Sequence, residues 1–394
     1  MARRAVSRPQ RVLFLLPSIR LGGMERLVSI LARGLDPERF AVEIVVLHRR
    51  DEHPDFARQL PATVPIRSLD KRSRYDLPRT MRRLVGELRR RRPAAAIGFM
   101  TYQNLLLVAA ARLAGTRTPV IATEHVTPDA LRATGGKRLQ LALAARAYRR
   151  AAAVVPVSEG LRAAMGRELG LPVDRLTTIY NPFDPEVDRL AAEEPPSTWF
   201  ADSGPTVVAV GRLTPQKAYP VLLEALRRVR EQLPARLLIL GEGEERAALE
   251  ARIAALGLGD AVLLPGYAPN PFPAMRRANA FVLASDWEAF PFVLVEAMRV
   301  GAAAVATDSE FGPNEIIEPE RSGLLVPTRD PVALGDAILR ILTDPALATR
   351  LREGARRRSE AFAPETAIGK YTDLLDAVIG ASGGRADAGV ASGR

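Results

Sequence analysis

Short apolar runs alternate along this chain with longer segments in which apolar positions recur every three or four residues. Such a run reads as a strand buried on both faces, such a segment as an amphipathic helix, and their alternation as a parallel sheet with crossover helices. In the first half the pattern predicts strands at Val12–Leu16, Val42–Leu47, Ala94–Phe99, Val120–Thr123, Ala153–Val157 and Leu176–Tyr180. In the second half it predicts Thr206–Val210, Arg236–Leu240, Ala261–Leu264, Ala280–Ala284, Ala303–Ala306 and Gly323–Val326. Helices fit between them at Met24–Gly34, Pro78–Arg92, Leu105–Ala114, Gly136–Arg150, Glu159–Leu169, Pro220–Gln232, Glu244–Leu256, Pro273–Arg277, Val293–Val300 and Pro331–Leu342. Residues 185–205, with Glu193-Glu194-Pro195-Pro196-Ser197, read as a linker between domains at 1–184 and 206–363. Two doubly wound α/β domains so joined would face each other across a cleft, with ligands expected at the C-terminal ends of the strands. A last helix is expected over 364–379, and the Gly-, Ala- and Ser-rich residues 380–394 read as a disordered tail.

Composition removes several chemistries. Cysteine is absent, which excludes disulfides, thiolate metal sites and a cysteine nucleophile. Basic residues near Met1 are not followed by an apolar stretch of signal-peptide type, because Pro17, Ser18 and Arg20 interrupt it. No run approaches the roughly 20 apolar residues of a membrane span, and a cytoplasmic location is expected. The net charge of +11 is unevenly spread: residues 1–190 carry 34 basic against 18 acidic groups, or +16, and residues 191–394 carry 22 against 27, or −5. Much of the excess lies between Arg67 and Arg92. That face could meet anionic headgroups on a membrane's inner surface, or nucleic acid phosphates, or be simply a solvated helix. Few aromatics interleave with these arginines, which argues against a single-strand stacking platform.

The chemistry concentrates in a few loops. Glu288 and Glu296 bracket an apolar loop that runs into a helix, a spacing that lets one carboxylate accept from diols at each end of an elongated, hydroxyl-rich ligand. Arg212 and Lys217, in Gly211-Arg212-Leu213-Thr214-Pro215-Gln216-Lys217, sit in a strand-to-helix loop where two cations can neutralise a diphosphate leaving group. Gly22-Gly23 opens a helix after the first strand, a natural diphosphate cradle or merely a turn. Thr123-Glu124-His125 ends a predicted strand, so His125 is either a cleft residue or a capping one. Asn181-Pro182 is a turn signal, and Phe311-Gly312-Pro313-Asn314-Glu315-Ile316 puts a Gly-Pro turn directly before a helix. The three-glycine dinucleotide loop is missing, which speaks against a dehydrogenase.

Taken in order, these pieces resemble the retaining nucleotide-sugar glycosyltransferases of family 4, the group 1 glycosyl transferases of GT-B fold. The match is densest where Gly-Arg-Leu-x-x-Gln-Lys, Gly-Glu-Gly, the Glu288 to Glu296 stretch and Gly-Pro-x-Glu-Ile follow one another between Gly211 and Val326. The resemblance implies a GT-B architecture with an acceptor-side N-terminal domain, a nucleotide-sugar-binding C-terminal domain and a last helix that packs back on the former. It implies His125, Arg212, Lys217 and Glu288 as catalytic residues. Gly22, Gly23, Gly211, Phe290, Pro291, Phe292, Val293, Glu296, Gly312 and Pro313 become the donor-binding set. No metal or cofactor is expected. Ala218 and Ala289 stand where the family commonly has glycine. The implied partners are a nucleotide-diphosphate sugar, UDP favoured over GDP, and a glycan or polyprenyl-linked acceptor at a hydroxyl group. A nucleotide-sugar epimerase on the same fold and a basic nucleic-acid-binding protein stay open as alternatives, the latter disfavoured by the acidic second half.

Overall fold

Apolar runs flanked by glycine and proline form strands here because helices cover both faces of each sheet. The computed structural model describes residues 8–19, 22–49, 56, 59–73, 75–127, 137–196, 198, 200 and 204–391, with the main chain alone at 137–140 and 383–391. The chain divides into two units: Met1–Tyr180 together with Pro364–Arg394, and Asn181–Ala363.

In the first unit, strands β1 (Gln10–Leu16), β2 (Phe40–Val46), β3 (Ile66–Ser68), β4 (Ala95–Phe99), β5 (Val120–Glu124) and β6 (Ala153–Pro156) form a sheet of order β3-β2-β1-β4-β5-β6. All ladders are parallel, with Val12 opposite Val42 on one side and Ala95 on the other. Helices α1 (Gly23–Gly34), α2 (Leu77–Arg91), α3 (Thr101–Ala114), α4 (Lys137–Tyr148) and α5 (Glu159–Leu169) supply the crossovers. Edge strand β3 escapes the apolar-run reading because Ile66-Arg67-Ser68 is short and half-buried. The strand expected at Leu176–Tyr180 reduces to a single bridge between Val154 and Leu176. Thr177 and Ile179 still donate to β6 carbonyls, at 3.0 and 3.2 Å, so the segment lies extended along the edge without a ladder.

The second unit repeats the plan. Strands β7 (Thr206–Val210), β8 (Arg236–Leu240), β9 (Val262–Gly266), β10 (Ala280–Leu283), β11 (Ala304–Thr307) and β12 (Leu324–Val326) are ordered β12-β11-β10-β7-β8-β9, again parallel. Its helices are α6 (Val187–Leu190), α7 (Tyr219–Arg230), α8 (Arg246–Ala255), α9 (Phe272–Arg277), α10 (Phe292–Arg299), α11 (Pro313–Ile316), α12 (Pro331–Thr343) and α13 (Pro345–Ser359). One core unites Leu222, Leu226 and Val229 of α7 with Leu334 and Ile338 of α12. Asp330 and Asp344 cap α12 and α13 by accepting from backbone amides, each followed by proline at the first helical position.

The last helix, α14, runs Pro364–Ala391, past the Ile379 expected from the sequence. No proline interrupts 380–394, so nothing covalent stops the helix there. It packs within the first unit: Arg39 pairs with Asp376 at 2.7 Å, and Ile368 lies over Gly34. Among the described residues no helix is long and apolar enough to cross a membrane.

Candidate active site

In the second sheet the chain leaves β7 toward β8 on one side, while β10 lies on the other. Crossovers from β7 and β10 therefore diverge, which opens a crevice at their C-terminal ends. The loop after β7 carries Gly211, Arg212 and Lys217, the loop after β10 carries Glu288, and the loop after neighbouring β11 carries Gly312. Topology alone thus gathers three motifs of distant sequence position onto one sheet edge.

Hydrogen bonds lock the first two loops together. The Asp286 amide donates to Gln216 O at 2.9 Å, and Gln216 Nε2 returns a bond to Trp287 O at 2.8 Å. Across this frame Lys217 Nζ donates to Glu288 Oε1 at 2.6 Å, with only 14% and 8% of the two side chains exposed. At that burial, losing either partner would strand the other charge away from water, and the two side chains are already oriented. Tyr219 donates to Gly211 O at 3.1 Å, its phenol pushed up by burial and by the Glu288 charge. Arg212 is exposed, and no ion pair ties it to a described residue.

Glu288 leads into Ala289, Phe290 and Pro291, then α10. The first-turn amides of α10, at Phe292 and Val293, lack intrahelical acceptors and point a partial positive charge out of the helix start. Glu296 is one turn deeper, on the same face as Phe292 and 1% exposed. Gly312 folds over this loop with φ +85, and a Cβ there would lie 2.8 Å from Pro291 Cδ. Only glycine fits that backbone and that space. Asn181, also in this unit, donates through Nδ2 to Phe290 O at 3.3 Å. Ala218, where the family commonly has glycine, holds φ +46 right after Lys217.

Residues 21–187 match the family described as Glycosyltransferase Family 4, and residues 192–358 match Glycosyl transferases group 1. The chain belongs to the group 1, family 4 glycosyltransferases. An exopolysaccharide phosphotransferase of Streptomyces coelicolor is 35% identical over 282 residues, covering 71% of this chain but 28% of that protein. The N-acetylgalactosamine-N,N'-diacetylbacillosaminyl-diphospho-undecaprenol 4-alpha-N-acetylgalactosaminyltransferase of Campylobacter jejuni is 28% identical over 255 residues, 64% of this chain and 68% of its own. Anabaena HepE in complex with UDP and glucose superposes with a TM-score of 0.81 at 20% identity, over 93% of this chain and all of that one. That likeness, with the two parallel six-stranded sheets, shows an α/β GT-B fold.

The first unit of this glycosyltransferase brings a second group of residues to the C-terminal ends of its own strands. Gly22 caps α1 and Gly23 opens it, but Glu25 from the first turn already turns its carboxylate against Gly22. His125 follows β5 half-buried, with its ring stacked on Phe99. Desolvation lowers its pKa to about 4, so the imidazole is neutral near pH 7. Thr123 spends its hydroxyl proton on Gly98 O at 2.9 Å, so its oxygen accepts from His125 Nε2 at 3.3 Å. That assigns the proton to Nε2 and leaves Nδ1 as an acceptor.

Sequence reasoning missed the support beneath His125. Glu124 is buried, accepts from the amides of His125 and Val126 at 3.0 Å each, from Thr101 at 2.8 Å and from Tyr148. Burial raises its pKa against the pull of those four bonds. Nothing in the spacing of Thr101, Glu124 and Tyr148 announces that they converge. Gln216, which ties the two loops together, carries a weak signal as a polar residue between Arg212 and Lys217.

The basic Arg67–Arg92 region is partly consumed internally. Arg67 pairs with Glu43 at 2.8 Å, Arg83 with Asp70 at 2.8 Å, and Arg89 caps the end of α3 through Ala114 O and Leu113 O. Arg90 pairs with Glu87, while Arg72, Arg82 and Arg92 stay exposed, as do Tyr75 and Leu77 in the same region.

Proposed function

We propose that the chain is a retaining glycosyltransferase that moves a hexosyl or N-acetylhexosaminyl unit from a nucleotide-diphosphate sugar, UDP favoured over GDP, to a hydroxyl of a lipid-linked or polysaccharide acceptor in cell-surface glycan synthesis. The observation that carries the reading is the Lys217–Glu288 pair, held at 2.6 Å where the loops after β7 and β10 diverge. In this reading the second unit takes the donor: Glu296 accepts from the ribose diol, Glu288 from the sugar hydroxyls, and Arg212, Lys217 and the helix start at Phe292 face the diphosphate. The first unit takes the acceptor.

The bond between the anomeric carbon and the diphosphate breaks, a new bond to the acceptor oxygen forms on the same face, and a donor phosphate oxygen takes the acceptor proton. Charge grows on the departing diphosphate, where preorganised cations act most strongly. Arg212 and Lys217 then do the work of a metal ion, so turnover should survive chelators. The diphospho-undecaprenol in the name of the Campylobacter relative and the UDP in HepE support the acceptor and donor classes. The exposed arginines of the Arg67–Arg92 region, with exposed Tyr75 and Leu77 in the same stretch of chain, support a peripheral position on the inner membrane face.

Screening UDP- and GDP-sugars for thermal stabilisation tests the donor, because a ligand bound only by the folded state raises its melting temperature. Product formation is then measured with and without acceptor. Stabilisation by a UDP-sugar with acceptor-dependent product is the expected outcome. Sugar inversion without acceptor would mean an epimerase, and indifference to every nucleotide sugar would overturn the reading.

A further inference from the structure

The second unit contains a cavity of about 490 Å³ walled by α13 and by the turn that follows α11. Arg321, Arg350, Arg357 and Arg358 line it, with Glu318 as its one carboxylate. The same half of the chain is net acidic, at −5 over residues 191–394, and this local excess of three positive charges is concentrated where α13 gathers its arginines. The packing is built to bring the two walls close: a Cβ on Gly354 of α13 would lie 1.8 Å from Arg321 O.

These guanidiniums are weakly compensated. Arg358 is 3.8 Å from Glu318 and Arg357 is 4.0 Å from Glu353, both long for ion pairs. No hydrogen bond or ion pair joins the side chain of Arg321 or Arg350 to a described residue, and Arg350 acts on Glu320 only at longer range. Arg358 is instead held in place by main chain, donating to Ile316 O at 3.0 Å and Glu315 O at 2.6 Å, with its plane over the Phe362 ring. Like charges around one cavity repel, and a bound anion offsets that repulsion. The rigid fork of arginine matches the tetrahedral oxygens of phosphate, and Arg358 is already oriented.

We propose that this cavity is a binding site for a phosphate-bearing anion. It shares no residue with the Lys217–Glu288 site. Soluble compounds and phospholipid headgroups both carry such a phosphate, and the test separates the two.

Pyrophosphate is titrated calorimetrically into the full chain, the Arg321→Gln/Arg350→Gln variant and Lys217→Ala. The cavity variant should bind about tenfold more weakly or worse for each guanidinium removed, since a hydrogen bond to a charged group carries that much. Lys217→Ala should keep this binding. Co-sedimentation with phosphatidylglycerol vesicles, against phosphatidylcholine alone, is compared for the full chain and the cavity variant. Loss of vesicle binding in the variant assigns the phosphate to lipid; unchanged vesicle binding with weakened pyrophosphate binding assigns it to a soluble compound. Should the double variant melt early, Arg350→Gln alone gives the same readout. Pyrophosphate and vesicle affinities both unchanged by the variants, or no binding to the full chain in either arm, would overturn the proposal whatever the fate of the transferase reading.

Discussion

Replacing Lys217 with alanine separates the two tasks of its ammonium group. In the folded chain Nζ sits 2.6 Å from Glu288 Oε1, and 14% and 8% of the side chains are exposed. Truncation leaves the Glu288 carboxylate with Gln216 Nε2 at 3.5 Å, a poor substitute. Removing one partner of a buried pair costs about 3–5 kcal/mol. Residual solvent on the lysine side favours the lower end, about 3 kcal/mol, which in a unit of this size lowers the melting temperature by roughly 6–12 °C. The second loss is chemical: one preorganised donor facing developing charge is worth about 10²–10³ in kcat. Scanning calorimetry reads the first and release of nucleoside diphosphate reads the second. If the pair acts as a unit, Lys217→Ala/Glu288→Ala turns over no more slowly than the worse single variant. Turnover of Lys217→Ala within about threefold of the parent, or losses that simply add in the double variant, would refute the reasoning.

Three further outcomes follow from the geometry. His125 has its pKa lowered from 6.5 to about 4. The stability it contributes is therefore complete above pH 6.5 and lost as pH falls to 4, by at most about 3 kcal/mol, and urea unfolding of His125→Gln across that window should lack this part of the slope. Ala218→Gly relieves a left-handed residue at about 1–2 kcal/mol but loosens the unfolded chain by about 0.5–1 kcal/mol, so a net gain of up to roughly 1.5 kcal/mol is expected; a lowered melting temperature would show the strain is not there. Gly312→Ala meets φ +85 and the Pro291 ring, and should cost about 1–3 kcal/mol and weaken nucleotide-sugar affinity in calorimetry, whereas unchanged affinity would separate this loop from the donor.

The sheets were legible because parallel strands bury both faces: Val207, Val208, Leu237 and Leu238 are all within 1% of complete burial, and such runs stand out in any sequence. Helix α13 was missed although Asp344-Pro345 is a strong start signal, because the segment is too rich in arginine to show an apolar face. The identities of Lys217 and Glu288 were readable from their motifs, but their partnership was not, since they are 71 residues apart and meet only through strand order. Glu124 illustrates the same limit: its four donors come from α3, α4 and its own turn.

The central claim, that the second unit grips an activated sugar between Glu288 and Glu296 with its diphosphate against Lys217, is tested most directly by a crystal structure of the chain with a UDP-sugar. The account predicts phosphate oxygens within hydrogen-bond distance of Lys217 Nζ, the ribose hydroxyls on Glu296 and the sugar on Glu288. A nucleotide bound elsewhere, or bound here with Lys217 still closed on Glu288 and turned from the diphosphate, would contradict it.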